Sequence, residues 1–224
     1  MKNIIIGLIA SLIISTASYA GQFGIGLTGS FAAVSAEGTE SDVDGTADTS
    51  NRSASAGHNA IVPSAFAEYS LDNGFTIGYD YTIGSAEVSE KNLTRTNVAV
   101  AANEGGAEND TSTRSANAEI ENVHAIYAEL PLHAGLYLKG GFVQMDVNSL
   151  DSGSTGSYGN KTVDGMLYGL GYKNSFGTSG FYKVEGTMTD MDSFTISNST
   201  TDKATQITAD LDVVKATFAI GINF

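Results

Sequence analysis

The chain has no cysteine and no tryptophan, only two prolines, and just 11 basic residues against 25 acidic ones in 224 positions. Without cysteine no disulfide can staple it, so its stability must come from an extended hydrogen-bonded architecture or from the solvent around it. The shortage of lysine and arginine leaves a formal net charge of −14. That charge argues against nucleic acid and against anionic lipid as electrostatic partners, and suits a solvated outer surface or divalent cations. Past residue 20 there is no apolar run approaching 18 residues, so no transmembrane helix is available.

The first twenty residues, MKNIIIGLIASLIISTASYA, place Lys2 before an apolar stretch over 4–14 and then small residues, with Ser18 and Ala20 in an A-x-A-like position. This is the layout of a secretory signal peptide, too short for a spanning helix and without stop-transfer charges behind it. Residues 1–20 are therefore set aside as a signal peptide, and 21–224 are read as one domain outside the cytoplasm.

In that domain short segments alternate with period two. FTIGYDYTIG puts Phe75, Ile77, Tyr79, Tyr81 and Ile83 on one face and Thr76, Gly78, Asp80, Thr82 and Gly84 on the other. Seven further segments behave alike. Phe23, Ile25, Leu27 and Phe31 share a face; so do Ala65, Ala67, Tyr69 and Leu71, and likewise His124, Ile126, Ala128 and Leu130. Leu136 and Leu138 open the next strand, followed by Met166, Tyr168, Leu170 and Tyr172, then Tyr182, Val184 and Met188. The last groups Val214, Ala216, Phe218, Ile220, Ile222 and Phe224. Along GLYLKGGFVQMDV the phase slips, since Val143, Met145 and Val147 fall on the polar side, and the paired Gly140 and Gly141 suggest a β-bulge there.

Connections alternate too. LDNG, PLHAG and NSFGTS are short and rich in turn formers, whereas residues 37–60, 88–118, 148–162 and 192–206 are long, polar and too poor in apolar area to order themselves firmly. An even number of antiparallel strands with tight turns at one end and long loops at the other is the plan of a bacterial outer-membrane barrel, with both termini on the periplasmic side. The expected fold is an all-β, eight-stranded, antiparallel up-and-down transmembrane barrel. Val98 and Val100 read as additional strand inside the second loop, either raising the wall or making ten strands; eight is the expectation.

The second face decides which way the strands look. It carries small residues and about one charge per strand: Glu68, Asp80, Glu129, Lys139, Lys183, Glu185 and Lys215. A water-facing exterior would carry more charge, so these residues are expected to fill a narrow barrel as paired acids and lysines. Tyr69, Phe75, Tyr172, Phe181 or Tyr182, and Phe224 sit where aromatic girdles belong.

The closing run VVKATFAIGINF resembles the carboxy-terminal signal by which outer-membrane barrel precursors are recognised, with Phe218, Ile220, Ile222 and Phe224 at the matching positions. Over residues 21–224 the layout resembles the small OmpA-like, OmpX-like and Opa-like barrels grouped as outer-membrane β-barrel or porin-family proteins. No residue motif singles out one member, and the peptidoglycan-binding domain that follows the barrel in full OmpA has no counterpart before Phe224. The resemblance implies outer-membrane lipid and the barrel-assembly machinery as partners.

Chemistry-bearing motifs are few. His58, His124 and His133 lie far apart, so the His with Asp or Ser partners that membrane-embedded hydrolases of this architecture gather at the rim is not assembled, and no enzyme is expected. In ESDVDGTADTSN, Glu40, Asp42, Asp44, Gly45, Asp48 and Asn51 follow the spacing of an EF-hand loop, departing at the first and last ligands, and offer a calcium site without flanking helices. No other cofactor is implied. The functional expectation is a structural anchor presenting acidic loops to an extracellular partner; the alternatives are a narrow porin or OmpW-like conduit and a soluble lipocalin-like carrier.

Overall fold

The computed structural model describes residues 21–42, 52–88, 93–99, 110–116, 118–150, 158–197 and 205–224. In chain order the strands are β1 (Gly21–Asp42), β2 (Arg52–Leu71), β3 (Thr76–Thr82), β4 (Ala86–Glu87), β5 (Leu93–Ala99), β6 (Asp110–Ala116), β7 (Ala118–Pro131), β8 (Leu136–Ser149), β9 (Lys161–Phe176), β10 (Gly180–Met191), β11 (Phe194–Ser197) and β12 (Thr205–Asn223). Eight of them pair antiparallel in the order β1-β2-β3-β7-β8-β9-β10-β12, and β12 returns to pair β1, closing the wall. β4 continues the wall beside β7, and β11 beside β12. Closure leaves no lower edge for another chain to extend, which a strand array in lipid requires.

The tilt follows from the register. Starting at Gly24, cross-strand partners run through Glu68, Gly78, Tyr127, Gly141, Leu167, Thr189 and Val213, and return to β1 at Val34, ten residues further along. Eight strands ~4.8 Å apart with that stagger and a rise of ~3.3 Å per residue tilt by about 41° and close at a backbone radius of about 8 Å. The lumen has room for side chains and little else.

On the outside, Ile25, Leu138, Tyr168, Val184, Phe218 and Ile220 are 40% to 60% exposed although large and apolar. Along β12 the outward apolar positions run from Phe224 to Val214; at this tilt those ten residues rise about 25 Å, the height of an outer-membrane apolar band. Tyr182, half-buried between Tyr172 and Phe218, supplies the lower aromatic rim together with the Phe23–Phe224 pair at 6.5 Å. Phe181 is instead fully buried inside the barrel, because it shares the inward phase of Lys183 and Glu185. The backbone N–H of Phe224 donates to Phe23 O at 2.8 Å, so the terminal phenylalanine is tied into the closing seam.

Two sequence expectations are corrected, and the expected strand count stands. First, Gly140 and Gly141 form no bulge: β8 pairs β9 without interruption from Leu136 to Val147, and the irregularity lies on the facing strand, between Glu121 and His124, where Asn122 takes φ 51°. Val143, Met145 and Val147 do point inward and are buried. The phase slip marks a change of surroundings. Below it the outward side chains of β8 are Leu136, Leu138 and Phe142; above it they are Gln144 and Asp146. β12 switches in the same way, from outward Val214 to inward Val213 and Leu211 with Asp212 outside. Where lipid gives way to water, the apolar face turns from the outside of the wall to its inside.

Second, the first long connection is largely strand, and the last is strand in part, at 194–197 and 205–206. β1 and β2 stay in register from Gly21↔Leu71 up to Glu40↔Arg52, and β12 follows β1 to Asp42↔Thr205. Ser, Thr and Ala need no buried apolar area when both neighbours complete their ladder, so polar composition alone did not make loops there. The wall rises eleven residues above Phe31, about 27 Å, beyond the lipid band. The expected eight strands stand: Val98 is in a strand, β5, but β5 pairs β6 in a separate two-stranded sheet outside the barrel wall, and Val100 lies outside the described residues. The short turns at 72–75, 132–135 and 177–179 stand as read, with Gly74, Gly135 and Gly177 at positive φ.

Inside, rings rest on glycine. A Cβ built at Gly78 would lie 2.6 Å from a ring carbon of Tyr127, and one at Gly171 2.5 Å from a ring carbon of Tyr137, whereas outward Gly29 has nothing within 4 Å. Gly78→Ala should therefore lower folding stability by ~1–3 kcal/mol through displacement of the Tyr127 ring, while Gly29→Ala leaves it unchanged; urea unfolding in lipid vesicles checks the pair. A second expectation uses the absence of native cysteine: Asp212→Cys should react with a membrane-impermeant maleimide on intact cells, and Phe218→Cys should stay unlabelled.

Candidate functional site: the barrel interior

The inward phase of the lower strands brings five of the seven expected interior charges, and one unexpected one, into ion pairs and hydrogen bonds around Lys183. Its ammonium donates to Glu129 Oε1 at 2.6 Å and to Glu68 Oε2. Lys173 donates to the other oxygen of Glu68 at 2.7 Å, and Lys139 to Glu185 Oε2 at 2.8 Å. Tyr137 Oη donates to Glu185 Oε1 at 2.6 Å and Tyr127 Oη to Glu68 Oε2 at 3.2 Å. Asp80 and Lys215 complete the set as electrostatic partners on opposite strands. Four carboxylates thus meet four ammonium groups, so the interior carries no formal net charge.

Burial makes this pairing obligatory. Glu68, Glu129 and Lys183 are 1% to 2% exposed, and an isolated charge at such depth costs several kcal/mol. Aromatic faces complete the solvation: Lys139 lies 3.9 Å from the Tyr127 ring centroid and Lys173 4.2 Å from that of Phe181. Lys183 lies within 6 Å of Phe66, Tyr127, Tyr137 and Phe181.

Above this network the interior is apolar. Val34, Val143, Met145, Val147, Val163 and Leu211 belong to one buried cluster, joined by Val88 of the chain after β4 and by Phe194 of β11. The lumen is thus filled in two layers, charged within the lipid band and apolar at and above its outer boundary. The expectation of a wholly polar filling holds for the lower layer and is corrected for the upper, for the reason given for the phase switch.

Sequence reasoning missed Lys173 and the two tyrosines. Lys173 sits at a strand end, where a lysine normally reaches water; its odd-numbered phase with Gly169 and Gly171 was the available signal. The tyrosines were credited to girdles when apolar-facing and left unassigned otherwise. Phe218, Ile220, Ile222 and Phe224 all face outward, 47% to 72% exposed.

The other candidates stay apart. His58 lies on the inward face of β2 opposite Val34 and not in a loop; His124 faces outward on β7, where Tyr79 Oη and His124 Nδ1 are 2.5 Å apart; His133 is in the β7–β8 turn. Glu40 and Asp42 belong to the β1 ladder, and Asp44 and Asp48 fall outside the described residues. Among the described residues no group of three or more His, Asp or Glu is placed to hold a metal ion.

No protein-family model matches the chain. No curated protein matches it either. Solved structures do. The outer membrane protein OprG from Pseudomonas aeruginosa is similar at TM-score 0.52 and 12% identity, over 92% of this chain and 97% of that one. Ail, the attachment invasion locus protein of Yersinia pestis, gives 0.43 at 11% over 92% and 99%, and the outer membrane protease OmpT from Escherichia coli 0.45 at 8% over 94% and 100%. OprG carries the likeness of fold. Closed wall, outward apolar band and the likeness to OprG together give this chain the fold of the eight-stranded outer-membrane β-barrels.

Lys183→Met should leave Glu129 without its cation and destabilise the barrel by ~3–5 kcal/mol. The triple change Lys183→Met, Glu68→Gln, Glu129→Gln should recover most of that loss, because no charge is then stranded. Urea midpoints in vesicles, and the temperature at which the unboiled band shifts on a gel, measure both.

Proposed function

We propose that the protein is a non-catalytic anchor, a rigid barrel that holds extracellular strands and acidic loops in place for contact with a partner outside the cell. The observation that carries this reading is the two-layer filling of the lumen. A charge-balanced network below and an apolar cluster above fill the lumen among the described residues, which favours a scaffold over a channel. Since the eight interior charges cancel, the formal charge of −14 is carried by the rest of the chain. β1, with β2 and β12 beside it, rises about 27 Å above Phe31, a stalk that stands beyond the lipid band. Outward Phe218, Ile220, Ile222 and Phe224 remain the positions proposed for recognition by the assembly machinery. Calcium at Glu40, Asp42, Asp44 and Asp48 would bind at the upper end of β1 and the residues that follow it.

A second reading, a lateral conduit for small apolar molecules, draws on one observation. β3 leaves β2 at Ser64↔Thr82, and after the Ile83 N–H to Pro63 O bond the β2 residues above have β1 as their only ladder partner among the described residues. Pro63 has no N–H to offer at this point. Ile61, 82% exposed, flanks the seam where the apolar band ends.

Planar-bilayer recording separates the anchor from a pore: the wild-type barrel should stay silent, and stable unitary openings would overturn the anchor reading. The lateral reading predicts uptake of a small apolar dye into proteoliposomes, abolished by a short bis-maleimide crosslink across the seam in the double variant Ile61→Cys, Ile83→Cys. Equal uptake with and without the crosslink would remove it.

A further inference from the structure

One part of the interior is not explained by direct pairing. Lys139, Lys173 and Lys183 each form an ion pair with a carboxylate, but among the described residues Lys215 forms none; its principal opposite charge is Asp80. Between the two lies a cavity of about 30 Å³, lined by Asp80, Lys139, Glu185, Lys215, Thr187 and Thr217 among others. Thr187 is 6% exposed, and its hydroxyl is buried without a hydrogen-bond partner. The neighbouring hydroxyls are satisfied, since Ser30 and Thr217 bond each other at 2.8 Å.

We propose that this cavity is a site for one or two long-lived internal waters, which bridge the ammonium of Lys215 to the carboxylate of Asp80 and hydrogen-bond the Thr187 hydroxyl. The volume exceeds the ~10–15 Å³ that one water requires, and the walls supply more than the two to four polar partners that keep an internal water in place. An apolar guest would strand two charges and a hydroxyl. A bare cavity would leave a buried ammonium and carboxylate held apart in low dielectric, where each costs several kcal/mol if unsolvated. Water supplies a donor for Asp80 and acceptors for Lys215 and Thr187 at once. The site falls at the junction of the two layers of filling, so the last solvated group lies directly under the apolar cluster.

The test uses the folded barrel in detergent micelles, methyl-labelled at threonine and alanine. Water-to-protein cross-relaxation should appear at the methyls of Thr187 and Ala125, with the sign of a slowly exchanging water. Thr187→Val should shift the urea midpoint downward, because the bridging water loses a partner. If the cavity is dry, valine removes an unsatisfied hydroxyl and the midpoint shifts upward. Absence of cross-relaxation, or an upward shift, overturns the proposal. Ala125→Leu, which fills the cavity from β7, should abolish the Thr187 cross-peak; its persistence would assign the signal to bulk exchange and equally overturn the site. None of these outcomes depends on whether the barrel conducts or binds a partner.

Discussion

The ammonium of Lys183 is the interaction on which the lower half of the molecule turns. Two carboxylates and four aromatic rings converge on it in a lumen about 8 Å in radius to the backbone. A barrel this narrow must be filled, and in lipid the outside of the wall has already taken the apolar side chains. Whatever fills the centre must then be polar and fully paired. The glycines beneath Tyr127 and Tyr137 serve the same end, since only a residue without a Cβ lets those rings lie flat enough to reach Glu68 and Glu185.

Across the outer boundary of the lipid the requirement reverses, though the strands continue. Water solvates the exterior there, so Asp146, Asp190 and Asp212 face outward and the valines and leucines retreat inside. One sheet therefore carries two solvent regimes: β8 and β12 pass between them without a change of phase, while β7 passes through the bulge between Glu121 and His124. The filled lumen below and the hydrophobic cluster above obey the same rule that any protein interior obeys; only the location of the apolar solvent differs.

This explains which parts of the structure were legible in the sequence. Period-two runs such as Phe218, Ile220, Ile222 and Phe224 revealed strands and their outward faces, because in lipid the apolar side is unambiguous. Short turns announced themselves through Gly74, Gly135 and Gly177. The interior carboxylates and lysines were legible because charges at mid-strand have nowhere else to go. The switch at Val143 was visible as a slip of phase but was assigned to a bulge: a register shift and a change of solvent leave the same trace in hydropathy. Extension of β1 and β2 was hidden, since Ser, Thr, Ala and Gly read as loop whenever no apolar burial is demanded. Pairing partners, such as Lys173 for Glu68, needed the stagger of the closed wall, a global quantity that no local window contains.

The seam between β1 and β12 has a temporal meaning. Ser30 and Thr217 touch although 187 residues separate them, and the ladder they belong to is the one that turns a sheet into a cylinder. Such a contact is the slowest kind to find, because the intervening chain must give up its freedom before the contact forms. Until the last strand arrives, the half-built wall exposes two raw margins together with its hydrocarbon-loving side. Zipping that seam is therefore the step that costs the most chain freedom, and the one that removes both raw margins at once.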